Sequence, residues 1–377
     1  MLRVVLATGG TGGHIFPALA VAEALRASHP DVRVVLLGGL YGPEKELAAK
    51  AGLEFVGLPV RGVIGRGLRG VGAGFAMVRG LAKAMGFLRR FQPTCVLGFG
   101  GYAAFAGVLG AVLLGVPAAI HEQNALPGKS NRVLGRLVRR IYLSLPVAEG
   151  FSPEKTRLVG NPVRLAIRQG IAAQTYARAE AAPQGDAVVQ EDANPRRHLL
   201  VMGGSQGAKA INDAVIALLP QLVQFGVHLW HQTGPVDVAR VRAAYAMAGV
   251  INARVDAFVD NMAEAYAWAS LAFCRAGGSS LAELTAAGVP AILVPFPFAT
   301  HNHQWFNAKA LVDAGGAVLL EQNRITAGPD GNALVLAAIT EILNAPGVCT
   351  RMANASRAAA KPEAAETLAE AIANQFA

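Results

Sequence analysis

Short, uninterrupted apolar runs alternate along this chain with longer segments whose apolar residues recur at helical spacing. The first run, Leu2 to Thr8, is short and β-branched, which is typical of a strand buried on both faces of a parallel sheet. A helix is predicted to follow, with an apolar stripe at Ile15, Leu19, Ala22 and Leu25. Between them lies GGTGGH, a junction where backbone N–H groups and a helix N-terminus can meet an anion, or which only packs strand against helix.

The same pattern returns in the second half of the chain. His198 to Leu219 reads as a buried strand, a glycine turn and an apolar helix. Further strand-like runs begin at Val32, Cys95, Val116, Val227, Leu271 and Val289. Regular β-α alternation predicts two parallel, doubly wound α/β domains, whose facing strand ends would form a ligand cleft.

The longest uncharged run is Tyr102 to Ile120, about as long as a membrane-spanning helix. Gly115 and Pro117 interrupt it, so the interpretation is a buried helix followed by a buried strand. The N-terminus shows no signal-peptide pattern. The three cysteines are far apart, which favours a reducing compartment without disulfides or a metal knot.

The net charge of +9 over 377 residues is unevenly distributed. Residues 1–162 carry 19 Lys and Arg against 8 Asp and Glu, whereas residues 163–377 carry 15 against 17. The basic half indicates an anionic partner, either nucleic acid or a membrane surface, or else a generally basic surface kept for solubility. Basic residues also flank an apolar stripe at Phe75, Val78, Leu81, Met85 and Leu88, which we interpret as a core face with partial exposure toward a membrane.

Candidate site residues follow the predicted strands. In RAGGSSLAEL, a flexible turn precedes Glu283, whose carboxylate could accept ribose hydroxyls while turn amides meet phosphate; an ordinary helix start is the alternative. Gln304 lies in a polar loop suited to sugar hydroxyls. HEQN, residues 121–124, ends a buried strand, and His14 begins the first helix, where an imidazole can take a hydroxyl proton.

Several familiar motifs are missing from the sequence. It contains no Asp-x-Asp pair and no His-Glu-x-x-His, so metal ligands are not evident and no metal or cofactor is expected. It also lacks a Gly-x-x-x-x-Gly-Lys-Ser/Thr loop, and the glycines of its two strand-to-helix turns do not spell Gly-x-Gly-x-x-Gly, which disfavours nucleotide hydrolysis and nicotinamide-dependent oxidation.

Seven ordered motifs together resemble the MurG family of peptidoglycan glycosyltransferases: GGTGGHIFPALAVAE, GFGGY, HEQN, GNPVR, GGSQGA, RAGGSSLAEL and HQWFNA. The resemblance implies the GT-B fold of two facing Rossmann-like domains. It also implies an inverting hexosyltransferase that moves GlcNAc from UDP-GlcNAc to the C4 hydroxyl of MurNAc-pentapeptide in lipid I, giving lipid II for the cell wall.

The resemblance also implies roles for individual residues. His14 would be the catalytic base, with Glu122 as the alternative. Ribose would be held by Glu283, the sugar by Gln304 and uracil by the backbone of Val259. The other substrate-binding residues would be Thr11, Gly12, Gly13, Tyr102, Asn124, Arg164, Ser205, Gly278, Ser279, Ser280, Leu281 and Ala282.

The expected domains are an acceptor- and membrane-facing domain (1–163), a UDP-GlcNAc domain (164–342) with a poorly ordered insertion near 171–197, and C-terminal helices (343–377) packing on the first domain. Expected partners are UDP-GlcNAc, lipid I, an anionic membrane and cell-wall synthesis and division proteins, but no nucleic acid. The expected location is peripheral, at the cytoplasmic face of the bacterial membrane. Ala104, His301 and Asn302 depart from the family pattern.

Three other hypotheses remain at this point. A UDP-sugar 2-epimerase shares the two-domain architecture but needs no lipid acceptor. A non-catalytic UDP-sugar-binding or membrane-docking subunit would need a second chain for activity. A nucleic-acid binder would use the basic half, yet the chain lacks interleaved aromatic residues and a recognition helix.

Overall fold

The computed structural model describes residues 1–10, 12–60, 70–147, 150–180, 197–204 and 206–376. The chain divides into two units, one of residues 1–164 with 361–377 and the other of residues 165–360. Within the described residues each unit contains one sheet, and every strand pair in both sheets is parallel.

The first unit holds a seven-stranded sheet in the order β3-β2-β1-β4-β5-β6-β7. Its strands are β1 (Arg3–Ala7), β2 (Arg33–Gly39), β3 (Glu54–Leu58), β4 (Cys95–Gly98), β5 (Ala118–Glu122), β6 (Arg140–Leu143) and β7 (Thr156–Leu158). Its connecting helices are α1 (Gly12–Ser28), α2 (Glu44–Lys50), α3 (Gly70–Phe91), α4 (Gly101–Leu113) and α5 (Lys129–Leu137).

The second unit holds a six-stranded sheet in the order β10-β9-β8-β11-β12-β13. Its strands are β8 (His198–Met202), β9 (His228–Gln232), β10 (Arg254–Asp256), β11 (Leu271–Cys274), β12 (Ala291–Leu293) and β13 (Ala317–Leu319). Its helices are α6 (Leu165–Glu180), α7 (Lys209–Gln224), α8 (Val238–Met247), α9 (Met262–Trp268), α10 (Gly278–Ala287), α11 (His303–Asp313), α12 (Gln322–Ile325), α13 (Gly328–Asn344) and α14 (Val348–Ala358).

The last helix, α15 (Ala364–Phe376), belongs to the first unit and packs against α1. Leu368 and Ile372 are fully buried there, in the same apolar core as Leu25. By contrast, α14 packs against α10 and α13 within the second unit. The chain thus returns to its first sheet only in its final residues.

The structure confirms the predicted alternation of strands and helices. The uncharged run at 102–120 forms most of α4 and the start of β5. Helix α6 extends to Glu180, into the segment for which the sequence shows no clear period; its Ala-rich run favours a helix. Residues 181–196 of that segment lie outside the described residues.

Among the described residues, no single helix is both long and apolar enough to span a membrane. Helices α13 and α14 meet the length and composition criteria only as a pair, with a bend of 90° between them.

Candidate active site

The glycine turn of the first unit carries His14 at the carboxyl end of β1. The turn requires glycine at residue 10, where φ is +98°, because L side chains rarely adopt that conformation. His14 lies in the first turn of α1, and its Nδ1 is 3.0 Å from the Gly9 carbonyl oxygen. That geometry corresponds to an Nδ1–H donating to Gly9, so Nε2 is the nitrogen that would accept a proton.

The turn is also held from its other side by Glu44, at the start of α2. This carboxylate is 1% exposed, and its Oε1 accepts the Gly10 N–H at 3.0 Å. Sequence reasoning missed Glu44, because nothing local indicates that a glutamate following β2 turns inward beneath the end of β1.

Glu122 ends β5 and is 2% exposed. Its Oε1 accepts the backbone N–H and the side-chain amide of Asn124, each at 3.0 Å. Its Oε2 accepts the Gly128 N–H at 3.1 Å and the Asn131 amide at 2.8 Å. Four donors therefore surround this carboxylate, an arrangement that orders the loop after β5 and leaves little room for a substrate hydroxyl.

His121, the residue before Glu122, is fully buried. Its Nε2 lies 3.0 Å from the Gly160 carbonyl, and its Nδ1 lies 3.0 Å from the Gln123 amide nitrogen. Burial lowers the pKa of His121 to about 4, so the ring is neutral near pH 7. His121 therefore fixes the strand end to the segment that leads out of the first sheet.

Two further predicted residues of the first unit lie near these strand ends. Tyr102 is half-buried in the first turn of α4, directly after β4. The guanidinium of Arg164 stacks 4.4 Å from the centre of the Phe16 ring, and Phe16 also packs against Gly12. Gly12 and Gly13 begin α1, and Thr11 lies outside the described residues.

The second glycine turn follows β8 and contains no histidine. Gln232, at the end of β9, donates its amide N–H groups to the Gly204 carbonyl at 2.9 Å and the Ala257 carbonyl at 3.1 Å. Gly204 has a φ of +80°. Ser205, the predicted diphosphate contact, lies outside the described residues.

Helix α10 presents the other predicted diphosphate residues at its N-terminus. It begins at Gly278, and Ser279, Ser280 and Ala282 are half-buried, whereas the Leu281 side chain is buried. Glu283 lies one turn into the helix, where its Oε2 accepts the hydroxyl of the buried Tyr266 at 2.8 Å. Sequence reasoning missed this contact between Tyr266 and Glu283.

The remaining predicted residues follow β10 and β12. The side chain of Val259 is buried, so contact with a ligand would come through its backbone. The Oε1 of Gln304 accepts the Phe296 N–H at 2.9 Å, which orients its amide nitrogen. The buried Asn307 donates to the Ala276 carbonyl at 3.1 Å and ties α11 to the loop before α10.

Each unit therefore brings its own predicted residues to the carboxyl ends of neighbouring strands. Among the described residues, those of the first unit follow β1, β4, β5 and β7, and those of the second follow β10, β11 and β12. Within the described ranges, no group of three or more His, Cys, Asp or Glu side chains is arranged to hold a metal ion.

Comparisons with known proteins agree with this architecture. Residues 4–143 match the N-terminal domain of glycosyltransferase family 28, and residues 198–368 match its C-terminal domain. The UDP-N-acetylglucosamine–N-acetylmuramyl-(pentapeptide) pyrophosphoryl-undecaprenol N-acetylglucosamine transferase of Nitratidesulfovibrio vulgaris strain DP4 is 55% identical, over 99% of this chain and 97% of its own.

Solved structures give the same answer for the fold. The crystal structure of MurG from Acinetobacter baumannii is 31% identical, covers 99% of this chain and 100% of its own, and superposes with a TM-score of 0.75. A UDP-GlcNAc 2-epimerase from Neisseria meningitidis shares only the fold, at 14% identity over 99% of this chain and all of its own, with a TM-score of 0.67. The predicted GT-B class of Rossmann-like domains is confirmed, and the chain belongs to glycosyltransferase family 28 and, within it, to the MurG family.

Proposed function

We propose that this chain transfers GlcNAc from UDP-GlcNAc to the C4 hydroxyl of MurNAc-pentapeptide in lipid I, giving lipid II for peptidoglycan synthesis. The observation that carries the proposal is the 55% identity, over nearly the full length of both chains, to a relative named for this transfer. The arrangement of each unit supports it.

The second unit is suited to the donor. The N-terminus of α10 offers backbone N–H groups and a positive dipole end to the diphosphate. Glu283, which the Tyr266 hydroxyl holds, would accept ribose hydroxyls, and Gln304, which accepts the Phe296 N–H, would donate its amide to the sugar. These groups would recognise a sugar nucleotide through hydrogen bonds and the helix dipole.

The first unit is suited to the acceptor and its proton. His14 is proposed as the base, since Nδ1 is engaged at Gly9 and Nε2 can take the proton of the C4 hydroxyl. Glu122 is the weaker alternative, because its four bound donors already hold both oxygens. The amides of Gly12 and Gly13 at the start of α1 would meet the diphosphate of the acceptor.

The reaction proposed is a single inverting displacement. The C4 oxygen attacks the anomeric carbon of GlcNAc on the face opposite UDP, while its proton passes to His14. The bond from the anomeric carbon to the phosphate oxygen breaks, and UDP leaves with the electron pair. Developing charge on the diphosphate is stabilised by the N-terminus of α10.

The test measures UDP release from UDP-GlcNAc with EDTA present, with and without a short-chain lipid I analogue. We expect release only with the acceptor, and a loss of at least about 100-fold in kcat for His14→Ala. Release in His14→Ala at the wild-type rate would keep the reaction and refute the base. If wild type binds UDP-GlcNAc but never releases UDP, the non-catalytic interpretation replaces the transferase.

We also propose that the first unit binds peripherally to the cytoplasmic face of the bacterial membrane through α3. Phe75 and Val78 near its start are 67% and 64% exposed, and the exposed Arg79 and Lys83 lie beside them. Leu88, at the other end of the predicted stripe, is buried in the core. The apolar stripe thus passes from solvent into the core, and its exposed end pairs apolar with basic side chains.

Vesicle sedimentation tests this surface. We expect binding to vesicles containing phosphatidylglycerol, weakened by salt, and little binding to neutral phosphatidylcholine. Phe75→Ser with Val78→Ser should weaken binding about tenfold or more. Val236→Ser is the matched control, because Val236 is 93% exposed but lies in the second unit. Equal loss in both variants would refute the assignment to α3.

A further inference from the structure

Glu44 is a buried carboxylate that the reaction described above does not use. It begins α2, after the short loop that follows β2, and is 1% exposed. Among the described residues its Oε1 accepts only the Gly10 N–H, and its Oε2 accepts no hydrogen bond. No salt bridge within the described part of the chain compensates its charge.

Glycine backbone makes room for this side chain. A Cβ added at Gly38 would come within 2.9 Å of the Glu44 Cβ, and one added at Gly42 would collide with its carboxylate. A buried, unpaired carboxylate is costly to folding. Stability therefore does not explain why the fold keeps Glu44 buried. Its hydrogen bond to the Gly10 N–H suggests another role.

The hydrogen-bond partners of Glu44 and His14 are the two ends of one peptide group. The N–H of Gly10 and the C=O of Gly9 belong to the same peptide bond. Glu44 Oε1 binds the N–H at 3.0 Å, and His14 Nδ1 lies 3.0 Å from the oxygen. Carboxylate, peptide and imidazole thus form one hydrogen-bonded chain.

We propose that Glu44 is a positioning residue for His14 and acts through the Gly9–Gly10 peptide. Its negative charge polarises the peptide, strengthens the acceptor at the Gly9 oxygen, and holds the proton of His14 on Nδ1. The imidazolium that forms when Nε2 takes a proton is stabilised through the same bonds. In a Ser-His-Asp triad a carboxylate binds the catalytic histidine directly. Here a peptide group lies between the carboxylate and the histidine.

The role in catalysis rests on the proposed function of His14, so the test separates the two. The tautomer of His14 is read in ¹H–¹⁵N correlation spectra of ¹⁵N-histidine-labelled protein, with its signals assigned by their loss in His14→Ala. We expect the Nδ1–H form in wild type and a shift toward Nε2–H in Glu44→Gln. This readout does not depend on activity, so it stands even if wild type releases no UDP.

Kinetics supply the second readout. Glu44→Gln should lower kcat about tenfold while KM for UDP-GlcNAc stays within about twofold of wild type. Glu46→Gln is the matched control, because Glu46 lies on the same helix, is 71% exposed and forms an ion pair with Lys50. The double variant His14→Ala with Glu44→Gln should be no slower than His14→Ala alone.

Three results would overturn the proposal: an unchanged His14 tautomer in Glu44→Gln, kinetic losses that multiply in the double variant, or a rise in KM with kcat unchanged. Should Glu44→Gln fail to fold, Glu44→Asp replaces it. The shorter side chain cannot keep the bond to Gly10, so the same tautomer shift is expected, and its absence would count against Glu44.

Discussion

The two glycine turns of this molecule occupy the same place in two similar sheets, yet they are held by groups of opposite polarity. In the first unit, Glu44 accepts the Gly10 N–H. In the second, Gln232 donates to the Gly204 carbonyl. The Glu44 side chain thus binds a turn N–H, whereas the Gln232 side chain binds a turn carbonyl. In the second turn the Gly203 and Gly207 N–H groups are bonded to the Gln232 and Gly204 carbonyls.

This difference fits the proposed division of labour. We expect the turn that is held through its carbonyl to suit the donor's diphosphate, and the turn with an anion beneath it to support a histidine that gains positive charge. On this proposal one strand-turn-helix pattern serves two kinds of chemistry, and a side chain from a neighbouring element decides which.

The largest expected effect contrasts two carboxylates. Glu122→Ala removes a buried carboxylate that accepts four hydrogen bonds and should lower the free energy of unfolding by about 3 kcal/mol. Glu283→Ala, half-buried in the second unit, should cost about 1 kcal/mol or less and instead raise KM for UDP-GlcNAc. Urea unfolding and steady-state kinetics check both. Similar stability losses would mean that Glu122 has no special role in its loop.

Low pH should lower the stability of both units, because each contains a buried histidine. Burial lowers the pKa of His121 to about 4 and that of His231 to about 3, from 6.5. Below pH 6.5 each histidine binds a proton in the unfolded chain but not in the folded chain. The free energy of unfolding therefore falls as the pH is lowered toward the folded-state pKa values. At pH 5 each histidine should cost about 2 kcal/mol relative to pH 7.

Urea unfolding at pH 7 and pH 5 measures this loss. Replacing either histidine by glutamine should flatten the pH dependence by about the same amount, because each ring is buried and neutral. An unchanged slope in one variant would show that the ring in that unit accepts a proton in the folded state.

Alanine at the two turn glycines should separate catalysis from donor binding. Gly10 and Gly204 both have positive φ, and an added Cβ would meet nothing closer than 4.0 Å at either. The backbone strain is therefore matched. Gly10→Ala should lower kcat at least about tenfold with little change in KM for UDP-GlcNAc, and Gly204→Ala should mainly raise that KM. If kcat and KM change in the same way in both variants, the two turns do not differ in function.

The smallest effect concerns the side chains beneath the turns. Gln232→Leu removes two hydrogen bonds and should lower the free energy of unfolding by about 1 kcal/mol. Glu44→Gln should leave thermal stability unchanged or slightly raised, because a buried charge is removed. A clear loss of stability in Glu44→Gln would indicate that the carboxylate serves the fold.

Most strands, most helices and the family were predictable from sequence, because buried parallel strands and glycine turns leave strong local patterns. Glu44 was not, since its role depends on β1 and β2 lying side by side, with Leu6 opposite Leu36. Tyr266 and Gln232 were missed for the same reason: each acts on a residue from a different element. The HEQN motif was recognised, but only the structure shows that Glu122 is surrounded by donors.

The position of α15 bears on how the protein is made. The first core includes Leu368 and Ile372, which follow the whole second unit in the sequence and therefore leave the ribosome after it. Everything needed for the second unit emerges earlier, so that unit can finish folding while the first still lacks one side of its core. During synthesis the N-terminal half is therefore expected to be the later of the two to mature, and a chain that stops at residue 360 should expose apolar surface on α1 and meet the cell's quality control.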